Sequence, residues 1–321
     1  MGRLRKQAGR GLAVQSPYLA RHLALRNLPL ITPVICKNVF LSLIFVYDWG
    51  MASLEAYLDQ QLAMGRSSFS SEEARSHLGS SQSAFASAAH RLVKKHKLVN
   101  LRHEFYLILR PEDQVVGAPD PLRWIGPLMQ HEQIDYRISL LRAAAFHGSS
   151  HQAAMVFQVI VPRQLRHLQI GRHRLQFIYQ APGTFEKVNQ PAWLDQIRTP
   201  DGYARVAGVE MTLLDSVRYF HKAAGIASVA QVVKDIAAKA DTRKLAQVAA
   251  FYENSAVRRL GYLLDVTGHE RISKPLEKFA RQAKSSKPLD PSIKPILGAS
   301  APVEINSKWR LTIAEPVEVD F

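Results

Sequence analysis

The stretch from Ser81 to Lys97, SQSAFASAAHRLVKKHK, joins two kinds of chemistry. Its first half offers short polar groups: Gln82, Ser83 and Ser87. Its second half offers His90 and then the cations Arg91, Lys94, Lys95 and Lys97. Short hydroxyl and amide side chains let a helix approach base edges closely and hydrogen-bond them, while long cations reach the flanking phosphates. At about 100° per residue, Ser83, Ser87, His90 and Lys94 share one helix face, with Arg91, Lys95 and Lys97 beside it. Phe85, Ala89, Leu92 and His96 share the opposite face, with Val93 at its edge, and are expected to be buried. Cations near a helix C-terminus also complement the macrodipole, so the sequence after the helix has to decide between the two uses.

That sequence, LVNLRHEFYLILR, reads as two short strands, Leu98 to Leu101 and Phe105 to Leu109, with a tight turn at Arg102, His103 and Glu104. A hairpin directly after such a helix is a wing, and Arg102 at its tip is expected to reach a neighbouring phosphate or the minor groove. From Ser81 to Arg110 there are six basic residues against the single acid Glu104. Upstream, SLEAYLDQQLAMG carries Leu54, Tyr57, Leu58 and Leu62 at helical spacing. SSEEARSHLG follows, with Ser70 and Glu73 in capping-box register and Gly79 as its stop. Three short helices, the last two separated by a glycine turn, and then a hairpin give the order of a winged helix-turn-helix.

Two other clusters invite chemistry. HGSSHQ places His147 and His151 four apart, a spacing that binds a metal on one helix face. Gly148 between them breaks that helix, and no third ligand is nearby, so capping and loop hydrogen bonds are the expected role. Ser149 or Ser150 with a histidine lacks an orienting acid that the sequence can place. Glu210 and Asp215, five apart, fall on different faces of one helix and are not expected to share a metal. There is no phosphate-cradling glycine loop and no nucleophile elbow. The expectation is therefore no catalytic residue, no metal and no cofactor: a binding protein and not an enzyme.

Composition sets the frame for these sites. The 321 residues include 47% hydrophobic ones, enough for real cores, and 42 Lys and Arg against 27 Asp and Glu, a net +15. Such a surplus favours a polyanionic partner, nucleic acid first and an anionic membrane surface second. The single cysteine, Cys36, forms no disulfide within the chain, which fits a reducing cytoplasm. Residues 1–50 hold seven basic residues, one acid and an apolar run broken by Pro29, Pro33 and Lys37, too short to span a bilayer. They are expected to be an extension ahead of a functional chain beginning at Met51. Residues 51–112 form the first expected domain, and PEDQVVGAPDP reads as the linker out of it. Residues 120–321 form the second: an apolar helix ending at Gly148, a β-branched strand in AAMVFQVIVP, a hairpin in LQIGRHRLQFIYQ and a strand in GYARVAG. Helices are expected from VEMTLLDSVRYFH onward, over 226–239, 242–252, 256–264 and 272–283, before a strand-like end. The fold class is α+β: an N-terminal winged helix-turn-helix followed by a larger mixed α/β domain with a helical middle.

Read in order, AAHRLVKKHKLVNLRHEFYLI, YRISLLRAAAFHGSSHQAAMVFQVIV, TPDGYARVAGVEMTLLD and KWRLTIAEPVEVDF resemble the AbiEi-type antitoxins of bacterial type IV toxin–antitoxin, or abortive infection, systems. The resemblance runs from about Met51 to Phe321. It implies an N-terminal DNA-binding module, a C-terminal antitoxin domain, repression of the protein's own operon at promoter repeats, and a nucleotidyltransferase-like toxin opposed without a stable complex. The chain departs from the family pattern at His96 and at His103–Glu104, where glycine is usual. The expected interface is Gln82, Ser83, Ser87, His90, Arg91, Lys94, Lys95, Lys97 and Arg102, and the expected partner is double-stranded promoter DNA with no membrane. Two other readings stand beside this one: a nuclease or nucleotidyl-transfer enzyme using the C-terminal domain, and a protein-interaction module whose basic helix docks on an acidic partner.

Overall fold

The computed structural model describes residues 53–149, 156–293 and 304–317. The expected N-terminal extension, residues 1–50, lies outside them, as do Ser150 and His151. Helix α1 (Leu54–Ala63) starts where the Ser53 hydroxyl accepts the Ala56 N–H at 3.2 Å. Strand β1 (Ser68–Ser70) leads directly into α2 (Ser71–Leu78), where the Ser70 hydroxyl accepts the Glu73 N–H at 3.1 Å. Gly79 closes α2 in the left-handed conformation, φ 59°, which glycine adopts without strain. Ser81 then caps α3 (Gln82–Lys94), accepting the Ala84 N–H at 3.2 Å.

Strands β2 (Leu98–Arg102) and β3 (Phe105–Ile108) form the hairpin, and β1 pairs with β3 in a three-stranded antiparallel sheet. The β1 strand was not legible in the sequence, because the three residues SFS are too short to show a strand's alternation. One face of this sheet packs on the helices: Leu98, Ile108 and Phe69 join Tyr57, Leu58, Phe85, Ala89 and Leu92 in one apolar cluster. The other face, Leu101, Phe105 and Leu107, belongs to the large core of the rest of the chain. Both faces of the hairpin are therefore buried, which is why FYLIL is a continuous apolar run and not an alternating one.

The connection between the two parts is ordered. Helix α4 (Pro111–Gln114) occupies the expected linker, and Ala118 after it is buried. Helix α5 (Pro121–His131) buries Trp124, Ile125, Leu128 and Met129, and it packs against β1, β3 and the later strand Gly202–Ala207. The described residues make one compact unit.

A six-stranded mixed sheet follows. Its strands are β4 (Arg137–Ile138), β5 (Val156–Val161), β6 (Leu168–Ile170), β7 (His173–Tyr179), β8 (Leu194–Thr199) and β9 (Gly202–Ala207), in the order β6-β7-β5-β4-β9-β8. The β5–β7 and β4–β9 pairs are parallel and the others antiparallel. Helix α6 (Leu140–Phe146) separates β4 from β5, and α7 (Pro182–Val188) follows β7. Helix α8 (Val209–Arg218) buries eight consecutive residues, Glu210 to Val217. It is wrapped by α6, α9 (Gly225–Ile236), α10 (Thr242–Ala249) and α11 (Asn254–Val266). A helix covered on every side carries no clean amphipathic period.

The helix expected over 272–283 is broken. It comprises α12 (Glu270–Ser273), a single 3-10 turn over Lys274–Leu276 and α13 (Glu277–Arg281), because Pro275 lacks the N–H that a continuous helix requires. The C-terminal strands β10 (Lys287–Pro288), β11 (Glu304–Asn306) and β12 (Leu311–Ile313) form a small sheet beside α11. Trp309 is fully buried there, and a Cβ on Gly261 of α11 would lie 2.2 Å from its ring. The α+β class holds, with helices gathered after a mixed sheet.

Candidate nucleic-acid interface

The outward face of α3 carries the residues whose spacing raised the question. Gln82, Ser83, Ser87, His90, Arg91, Lys94 and Lys95 are all exposed, whereas Phe85, Ala89 and Leu92 are buried. The Ser83 hydroxyl lies 3.2 Å from that of Ser81, at the helix start. Among the described residues, no carboxylate forms an ion pair with Arg91, Lys94 or Lys95. The face therefore grades from hydroxyls and an amide to cations that form no ion pair, with Lys95 near enough to Glu55 to lower its pKa.

Three residues differ from the sequence expectation. His96, expected on the buried face, is exposed with φ 54°. The helix ends at Lys94, so the wheel that placed His96 inside no longer applies to it. Lys97 is ion-paired to Glu55 at the start of α1, and that hydrogen bond raises the Lys97 pKa and lowers that of Glu55. Lys97 thus ties the end of α3 to α1 instead of standing free.

Arg102 is turned away from α3. Its Nη2 donates to the Arg166 carbonyl at 3.2 Å, its Nε lies 3.7 Å from Glu132 Oε1, and its guanidinium sits 5.7 Å from the Phe177 ring centroid. The hairpin tip is also covered. The Glu104 carbonyl accepts the Ser71 N–H at 2.8 Å, and His131 Nε2 lies 3.2 Å from the His103 carbonyl. The hairpin is too short to project beyond the sheet it belongs to, so its tip arginine meets the chain's own surface. His96 and Glu104, two of the residues where the resemblance implies glycine, hold the left-handed backbone that glycine would supply, with φ 54° and 59°.

Further contacts fix this module in place. Asp201, in the β8–β9 turn, accepts the Ser67 N–H at 3.1 Å and its hydroxyl at 2.6 Å, and Arg123 donates to the Gly65 carbonyl at 3.1 Å. Beside that turn lies an open cleft of about 580 Å³, lined by Gln130, Asp135, Tyr203 and Arg205 among others. Its charged groups are engaged with one another or with the fold: Arg205 with Asp135, and Asp201 with Ser67.

The deepest polar feature went unread in the sequence. Arg137 and Asp215 are both fully buried and form a bidentate pair at 2.9 and 3.0 Å. Asp215 also accepts the Ser139 hydroxyl and the Tyr252 hydroxyl, each at 2.7 Å, and Arg137 donates to Gln180 at 2.8 Å. Burial works against the charge on Arg137, but the Asp215 carboxylate outweighs it and the guanidinium pKa is raised. Burial, with Asp215 beside it, pushes the Tyr252 phenol well above its ordinary value. No local spacing links residues 78 apart, so only the lone charges inside apolar runs, Arg137 in YRISLL and Asp215 in TLLDSV, could have signalled the pair.

In the other candidate clusters, the described residues make contacts within the fold. His147 Nε2 lies 2.7 Å from the Ala207 carbonyl, at the end of a helix that Gly148 closes with φ 101°. Ser149 donates to Asp235 at 2.6 Å. Glu210 accepts the Asp241 N–H at 2.6 Å, while Asp215 serves Arg137. Among the described residues, no group of three His, Cys, Asp or Glu is placed to hold a metal ion.

Residues 137–266 match the family described as the AbiEi antitoxin C-terminal domain. The chain carries an AbiEi antitoxin domain. The matched segment opens on Arg137 and closes at the end of α11, so the whole Arg137–Asp215 network, with Ser139, Gln180 and Tyr252, lies inside that domain. The crystal structure of the RV2827C protein from Mycobacterium tuberculosis is similar, with a TM-score of 0.55 at 15% identity over 80% of this chain and 89% of that one. At that identity the likeness concerns the fold alone. No curated protein matches the chain. The matched domain supports a role as an antitoxin of a toxin–antitoxin system. Among the described residues, no helix is long and apolar enough to cross a membrane.

Proposed function

We propose that the protein is a DNA-binding antitoxin that represses its own operon. In this reading residues 51–112 are a winged helix-turn-helix and residues 120–321 the antitoxin domain. The observation that carries it is the free outer face of α3: hydroxyls and an amide at the end that enters a major groove, and unpaired cations at the end that lies along the backbone. Gln82, Ser83, Ser87 and His90 are assigned to base edges, and Arg91, Lys94 and Lys95 to phosphates. Lys97 and Arg102 are assigned to holding the module together, as their contacts support. The partner opposed by the antitoxin domain is a nucleotidyltransferase-like toxin, countered without a stable complex.

The test is titration of the full chain against a labelled duplex from upstream of its own gene, over a range of salt. Lys94→Ala and Lys95→Ala should each weaken binding to every sequence and flatten the log–log salt slope by about 0.9. Ser83→Ala and Ser87→Ala should instead shift sequence preference. Salt-independent binding, or none to the upstream duplex, rejects the reading. Metal-dependent turnover of labelled nucleic acid by the purified chain would favour an enzyme instead.

A further inference from the structure

The α3 face is narrow, and the hairpin that ought to widen it is covered. Arg102, the one cation placed at its tip, is spent on internal contacts. Beside that tip lies an unassigned group of cations. Between Asp135 and Glu186 the sequence has no acidic residue and six arginines. Arg137 is buried on Asp215, Arg142 lies 3.6 Å from Asp120, and Arg163 lies 3.3 Å from Glu132. Arg166, Arg172 and Arg174 are exposed, and no ion pair involves them among the described residues.

These three stand in the loop into β6, in the β6–β7 turn and on β7. Arg166 and Arg172 are fastened to the hairpin β2–β3 or to the residues that follow it, and Arg174 pairs within the sheet with Val156 and Gln169. The Arg166 carbonyl accepts from Arg102 at 3.2 Å, and the Arg172 N–H donates to the Val116 carbonyl at 2.8 Å. At the turn the two segments meet backbone to backbone, since a Cβ on Gly171 would lie 2.1 Å from the Val116 oxygen.

Edge strands often carry charge to block pairing with another chain. That does not account for these arginines. Arg166 and Arg172 lie outside the strands, and Arg174 lies on β7, which is flanked by β6 and β5 and is no edge.

We infer that the β6–β7 hairpin, through Arg166, Arg172 and Arg174, is a second phosphate-contacting surface that stands in for the covered wing. The inference rests on the DNA-binding reading of α3. It puts part of the DNA contact on the antitoxin domain itself, beside the wing tip, so the two modules hold one duplex together.

The test uses the full chain carrying Arg166→Gln, Arg172→Gln and Arg174→Gln together, with Lys94→Ala/Lys95→Ala as the comparison and Arg172→Gln alone as a milder variant. Each is titrated against the upstream duplex over a range of salt and footprinted. The triple variant should flatten the salt slope by about 2 to 3, and Arg172→Gln alone by about 0.9. The footprint should lose one flank and keep the segment protected by α3. The thermal midpoint should not move, because these side chains are exposed. If both hairpin variants keep the wild-type slope and footprint while the Lys94/Lys95 variant loses affinity, the hairpin contact is wrong and the α3 reading stands. A wild-type chain that binds no duplex rejects both.

Discussion

Arg137, at the start of the antitoxin domain, and Asp215, 78 residues further on, meet with no solvent at either. A buried pair of this kind is costly to break, because the survivor is left charged and unpaired. Asp215→Ala should lower unfolding stability by about 3 to 5 kcal/mol in urea denaturation, and Arg137→Met combined with Asp215→Leu should lose less than either single change. Tyr57 and Tyr219 give a pH signature. Burial pushes both phenols up to about 12, against an ordinary value near 10. A group raised in the folded state stabilises fully below its unfolded pKa and loses that contribution as pH rises to the folded one. Stability should therefore fall between about pH 10 and 12, with part of the tyrosinate absorbance appearing only at unfolding. Glu104 holds a left-handed backbone that costs a side-chain-bearing residue about 1 kcal/mol. Glu104→Gly should raise the thermal midpoint, less the extra entropy that glycine gives the unfolded chain.

The wheel of α3 was legible because helix period and capping are local. Ser81 and Ser70 cap as their positions require, and Phe85, Ala89 and Leu92 are buried as the spacing demands. The wheel misplaced His96 because a pattern cannot know where its helix stops. The hairpin was legible as two strands, but not as a covered one. Its sign was present in FYLIL, whose lack of alternation means that both faces are occupied. Strand β8 was missed because LDQIRT holds a single apolar pair and three charged or amide groups, the composition of an edge strand. The β8–β9 turn is a clamp in its own right. Asp201→Ala removes the carboxylate that accepts from the Ser67 amide and hydroxyl, and should cost about 2 kcal/mol. Amide exchange should quicken in residues 65–70 before it does in the six-stranded sheet.

At the scale of the molecule, the arrangement Leu101, Phe105 and Leu107 on one side and Leu98 and Ile108 on the other makes one small sheet serve two cores. Such a chain should unfold from residue 53 onward in a single transition, with far-ultraviolet dichroism and tryptophan fluorescence coincident. Two separated steps would show that the cores are independent. This could not be read from the sequence, since PEDQVVGAPDP has the composition of a spacer and only its neighbours reveal it as packed.

The shared sheet also governs how such a protein can change over generations. Residues 53–110 cannot be lifted onto another scaffold without baring Leu101, Phe105 and Leu107, so recombination that shuffles this piece yields a sticky fragment. The exposed positions of α3 answer to no core, and Gln82, Ser83, Ser87 and His90 can be replaced one at a time at little cost in folding. Drift in what the protein recognises is thus channelled into point changes along one helix, while the body that carries it is inherited whole.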